Sequence, residues 1–138
     1  MINYKANPLN LTESDIRWVE ETYSSMSVEE RIGQLFCPIG YSSDPNYLTH
    51  VILSKHPGGI LFRTGGKDEM AATYSFLQKN SIIPMFTAAN LEAGGDGIVR
   101  EGTSFGKQMQ IAATAKTENA YRLGKICSRE ARAVGCNY

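Results

Sequence analysis

The chain has 138 residues, 14 basic and 14 acidic, for a net charge of zero. That length fits one ordinary domain, and balanced charge without a basic stripe argues against nucleic acid as a partner. No apolar run approaches a membrane span, residues 1–5 lack the apolar centre of a secretory signal, and three cysteines without CxxC spacing (Cys37, Cys127, Cys136) argue against a disulfide framework or structural zinc, so a cytoplasmic setting is expected.

Residues 11–23 read as a helix. Thr12 and Asp15 stand at capping-box spacing, and Ile16, Val19 and Tyr23 share a face. Ser27 and Glu30 form a second box, opening a short helix through Ile32 and Leu35. The apolar residues 35–39 read as the start of a buried strand containing Cys37. Asp44-Pro45 has the form of an N-cap followed by proline at the first helical position. The helix it opens runs to about Lys55 with Leu48, Val51 and Ile52 inward, and His56-Pro57-Gly58-Gly59 ends it. Residues 59–62 are a second strand. Residues 67–79 are a helix with Met70, Tyr74 and Leu77 on one face.

Residues 82–89 contain a third strand, with Pro84 near its start. A glycine-rich loop follows, and then a helix over 117–134 with Ala120, Leu123, Cys127, Ala131 and Val134 inward. Gly135 suits the left-handed position after that helix, and Cys136–Tyr138 opens a further strand. Apolar strands alternating with amphipathic helices indicate an α/β fold with a parallel sheet.

Ligands in such folds sit at the carboxyl ends of strands. Attention therefore falls on Asn90-Leu91-Glu92-Ala93-Gly94-Gly95 and on Arg100. Asn90 and Glu92, two apart in extended chain, suit the recognition of vicinal hydroxyls, since a carboxylate accepts and an amide both donates and accepts. Alternatively, Glu92 holds the glycine loop through backbone N–H groups while Arg100 neutralises it. Gly94-Gly95-Asp96-Gly97 can be read as a phosphate cradle, as in a nucleotide-binding module, but lacks the usual spacing and lysine. His50 and His56 have no partner at metal-ligand spacing, and Thr103-Ser104-Phe105 is not a nucleophile elbow. Asp68, Asp96 and Glu101 are loop carboxylates with no evident environment to raise a pKa.

Five segments, in order and properly spaced, resemble the N-terminal domain of glycoside hydrolase family 3. They are Met26-Ser27-Val28-Glu29-Glu30-Arg31-Ile32-Gly33-Gln34-Leu35-Phe36, Gly58-Gly59-Ile60-Leu61-Phe62, residues 83–95, residues 102–114, and residues 124–137. The resemblance implies a (β/α)8 TIM-type barrel of which this chain would hold the first three to four βα units. Residues 1–25 would be an N-terminal helical extension, and 26–138 the opening of the barrel domain. It implies a parent retaining enzyme for terminal β-linked sugars, β-N-acetylhexosaminides first and β-glucosides second, working without metal or cofactor. Asn90, Glu92 and Arg100 would bind substrate. The nucleophile and the acid/base would fall beyond this chain, leaving it inactive alone. Three departures stand out: Asn90 replaces a family aspartate, Ala93 interrupts the usual Glu-Gly-Gly, and Gly106 stands where a proline usually follows Ser-Phe. A non-catalytic carbohydrate-binding or scaffold domain is the other reading. Part of a barrel exposes strand edges and an apolar inner face, so self-association, or docking with the rest of the barrel, is expected.

Overall fold

The computed structural model describes residues 2–138. Both N-terminal helices begin where their caps dictate. Helix α1 (Glu13–Ser25) starts after Thr12, whose hydroxyl accepts the Asp15 N–H at 3.3 Å while the Asp15 carboxylate accepts the Thr12 N–H at 2.8 Å. Helix α2 (Val28–Gly33) starts after Ser27, with the reciprocal bonds to Glu30 at 3.1 and 2.7 Å. Bonds to the ionised form hold both carboxyls below their ordinary range: the Thr12 hydroxyl acts first on Asp15, and the Ser27 backbone N–H first on Glu30.

The face expected of α1 is only half-buried. Ile16 and Val19 are intermediate, and Tyr23 is exposed with the Arg31 guanidinium stacked over its ring at 4.1 Å. The strand expected at 35–39 shrinks to a single parallel bridge between Ile39 and Leu61. Backbone turns from Leu35 to Ile32 and from Phe36 to Gly33 continue the α2 coil instead, so Leu35 and Phe36 stay in solvent. Cys37, expected in a buried strand, is exposed for the same reason.

Helix α3 (Pro45–Lys55) is capped by Asp44, which accepts the N–H groups of Asn46 and Tyr47, both at 3.0 Å. It ends at His56 in the left-handed region and buries Leu48, Val51 and Ile52. Strand β1 (Gly59–Leu61) leads to α4 (Lys67–Asn80), which buries Met70, Tyr74 and Leu77. Strand β2 (Phe86–Ala88) is shorter than the apolar run 82–89 and pairs parallel to β1, with Ile60 opposite Thr87. A short helix that the periodicity does not reveal, α5 (Gln108–Ala113), precedes α6 (Thr117–Ala133). Helix α6 buries Cys127 and Ala131, while Ala120 remains exposed. Gly135 takes the left-handed turn expected of it, with φ +93.

The chain then returns beside β2: the Asn137 N–H donates to Thr87 O at 2.9 Å, and the Ala89 N–H to Tyr138 O at 3.2 Å. On the opposite edge of β1, the Leu61 N–H donates to Pro38 O at 2.9 Å. Four extended segments thus lie side by side in chain order, two of them as named strands. Tyr74 anchors the core: its ring meets Phe62 edge-on at 5.8 Å, and its hydroxyl donates to Ala88 O at 3.0 Å. Burial pushes the Tyr74 phenol far above its ordinary pKa. Among the described residues, no helix is long and apolar enough to cross a membrane.

Candidate functional site: the loop after the second strand

Beyond β2 the chain runs on without regular structure through Leu91 and bends at Glu92. Leu91 packs on the core, while Asn90 and Glu92 are exposed on either side of it. Among the described residues, neither polar side chain has a hydrogen-bond partner. The Glu92 carbonyl, by contrast, is held by the Gln108 side-chain amide at 3.0 Å. Glu92 borders a broad hollow of about 730 Å³ lined also by Gln108, Ser128, Arg132 and Tyr138.

Arg100 lies elsewhere. It borders a separate cleft of about 230 Å³ with Tyr41, Ser43, Arg63, Thr64 and Glu69. The two ion pairs among the described residues are Lys5–Glu13 and Arg122–Glu118, so the pairing of Glu92 with Arg100 does not form. Nor do backbone N–H groups of the glycine loop bind the Glu92 carboxylate.

The separation follows from how the loop closes. Gly94 bridges Ser104, and the Phe105 N–H donates to Ala93 O at 2.7 Å, which makes a neck. Residues 96–102 leave this neck as an excursion. Ile98, fully buried, and Val99, 5% exposed, fix it into the core. Next to them the Arg100 N–H donates to Gly65 O at 2.8 Å and the Gly65 N–H to Ile98 O at 3.1 Å. Arg100 is thereby carried to the loop after β1. Burial of β-branched side chains outweighs local sequence proximity here.

The carboxylates of this region act as caps. Glu101 accepts the Lys67 N–H at 3.1 Å at the start of α4. Glu69 accepts the Gly66 N–H at 3.3 Å and the Ser43 hydroxyl at 3.1 Å. The Gly94–Gly97 run forms a 3-10 turn whose amides bond within the turn, the Gly97 N–H to Gly94 O at 3.3 Å and the Ile98 N–H to Gly95 O at 3.1 Å. A phosphate cradle needs free amides at a helix start; here the Gly97 N–H is bonded within the turn, which is a single 3-10 turn of three residues.

Cys127 and Cys136 are buried and donate to Leu91 O and Thr87 O, at 3.4 and 3.1 Å. Burial pushes both thiols up, away from thiolate chemistry. His50 is exposed on α3. Among the described residues, no group of three or more His, Cys, Asp or Glu side chains is arranged to hold a metal ion. The residue that reading the sequence misses is Glu130 of α6, whose carboxylate reaches the neck of the loop at Thr103.

Residues 27–138 match the family model described as the glycosyl hydrolase family 3 N terminal domain. The chain belongs to that family. Among relatives, the family 3 chain is 41% identical over 138 residues to a β-N-acetylglucosaminidase/β-glucosidase of Cellulomonas fimi, covering 100% of this chain and 24% of that protein. Two solved structures superpose closely. The β-glucoside phosphorylase BglX bound to 2FGlc has 35% identity and a TM-score of 0.84, with 98% of this chain and 25% of that one covered. The same phosphorylase without that description of a ligand gives a TM-score of 0.82, again at 35% identity, with 98% and 24% covered. The chain therefore spans about a quarter of the length of the relatives it matches.

Proposed function

We propose that this chain is the opening of a (β/α)8 barrel in a glycoside hydrolase for terminal β-linked sugars. Residues 1–25 serve as a helical extension and 26–138 as the first three to four βα units. The observation that carries the reading is the family match across residues 27–138. It is supported by the four side-by-side extended segments, helix-covered on one face and exposed at the Phe86–Tyr138 end of the other. A closed barrel takes about 250 residues. The parent acts on β-N-acetylglucosaminides and, second, β-glucosides, by analogy with the Cellulomonas fimi relative named for both.

Asn90, Glu92 and Arg100 position substrate hydroxyls around the strand ends. Glu92 and Arg100 do so from two separate hollows rather than as a pair. The carboxylate pair of a retaining mechanism, about 5 Å apart, comes from other parts of the barrel, and no cofactor is required. Full-length protein should hydrolyse an aryl β-N-acetylglucosaminide or β-glucoside, and this chain alone should not. Turnover by this chain alone would overturn the division of labour. Sugar binding by an inactive full-length protein, read as a thermal shift, would favour a non-catalytic carbohydrate-binding domain.

A second reading draws on the two superposable phosphorylase structures. In it, inorganic phosphate replaces water as the group that takes the sugar. Chromatography decides: a sugar 1-phosphate formed only when phosphate is present supports phosphorolysis, and free sugar in its place excludes it.

A further inference from the structure

The neck of the strand-end loop is closed from outside by one side chain. Glu130, on α6, accepts the Thr103 N–H at 2.8 Å through one carboxylate oxygen and the Thr103 hydroxyl at 2.6 Å through the other. These are charge-assisted bonds, roughly twice as strong as neutral ones. The opposite arm of the neck lies against the same carboxylate: a Cβ on Gly95 would run into Glu130 Oε2. The preceding Gly94 has φ +152, and a Cβ there would meet the Thr103 carbonyl. The two glycines are therefore small for a mechanical reason. They let both arms close and let a carboxylate from a helix reach between them. Glu92 lies just before this neck, and Arg100 lies on the excursion beyond it.

We propose that Glu130 is a positioning residue of the sugar site: it pins the neck at Thr103 and so sets where Glu92 and Arg100 stand relative to substrate. This rests on the glycoside hydrolase reading for its kinetic consequence. The pin itself does not.

Two measurements test it on full-length protein. In Glu130→Ala, amide hydrogen exchange over residues 93–105 should rise at least about tenfold, with residues 48–77 unchanged, because local opening follows lost contacts. In the same variant kcat/KM should fall about 10- to 100-fold, since small misplacements of binding groups are that damaging. Glu130→Gln, which keeps one acceptor oxygen, should recover much of it. In a Glu92→Ala background the further loss from Glu130→Ala should shrink to the part that acts through Arg100, because groups acting through one another are not additive. Unchanged exchange over 93–105 would overturn the pin. Raised exchange with wild-type kcat/KM, or full additivity with Glu92→Ala, would overturn the positioning role. Should Glu130→Ala fail to fold, Thr103→Val removes only the hydroxyl bond and is judged by the same criteria. A wild type without turnover would sink the glycosidase reading, and exchange would then judge the pin alone.

Discussion

The two faces of the small sheet differ sharply. On one, Ile60 and Thr87 are fully buried and Phe62 is 4% exposed, under Leu48, Val51, Tyr74 and Leu77 of α3 and α4. On the other, Ala88 is 3% exposed and Leu61 half-buried, but at its end Phe86 is 61% exposed and lies 5.5 Å from the ring of Tyr138, itself 77% exposed. Strands of a parallel sheet are apolar on both faces because both are meant to be covered. The contrast teaches that helix packing completes one layer of the core and leaves the other open at its Phe86–Tyr138 end.

The largest effect should come from the covered face. Tyr74→Ala removes a buried ring and the bond to Ala88 O, and should destabilise by about 3–5 kcal/mol in urea unfolding. A loss below about 1 kcal/mol would erase the contrast. Next is the edge of the sheet. Asn137 Oδ1 accepts the Thr87 N–H at 2.8 Å, and Thr87 is fully buried. Asn137→Ala leaves that donor unsatisfied and should cost about 1–3 kcal/mol.

The caps come third. Ser27→Ala should cost about 1 kcal/mol. Because the folded-state pKa values of Asp15 and Glu30 are depressed, their contribution is present above the ordinary carboxylate pKa and fades as pH falls through the lowered values. A Glu30→Ala penalty, which removes the carboxylate that accepts the Ser27 N–H, should therefore be larger at neutral pH and narrow in acid. A penalty constant with pH would break that link. The smallest stability effect belongs to the face exposed at its Phe86–Tyr138 end. Phe86→Ser should change stability by no more than about 0.5 kcal/mol, yet weaken self-association in sedimentation velocity. Identical sedimentation of both proteins would mean that this face is not what brings copies together.

Much of the architecture was legible along the chain. Thr12, Ser27 and Asp44 announce their helices because a capping bond spans only two or three residues. Met70, Tyr74 and Leu77 mark their buried face because helical period is a local property. The strand at 35–39 was not legible. Its apolar residues match a strand pattern, yet backbone turns continuing α2 claim Leu35 and Phe36. Helix α5 was hidden because none of its residues is buried, so it carries no amphipathic signal.

At the candidate site, Asn90 and Glu92 lie exposed beyond β2, with the chain bending at Glu92 rather than continuing extended. Arg100 does not join Glu92. The cause lies in Ile98 and Val99, whose burial draws the excursion toward Gly65.

By itself, then, the amino-acid order determined every α-helix of the described residues but α5, the caps at Thr12, Ser27 and Asp44, the glycine turn at Gly135 and the family, since each rests on residues close together or on motifs read in line. Only the tertiary structure decided which apolar runs were covered, which hollow each polar side chain borders, and that Glu130 reaches Thr103 across 27 positions. Such contacts depend on where packed helices deliver a side chain. No short-range periodicity encodes that.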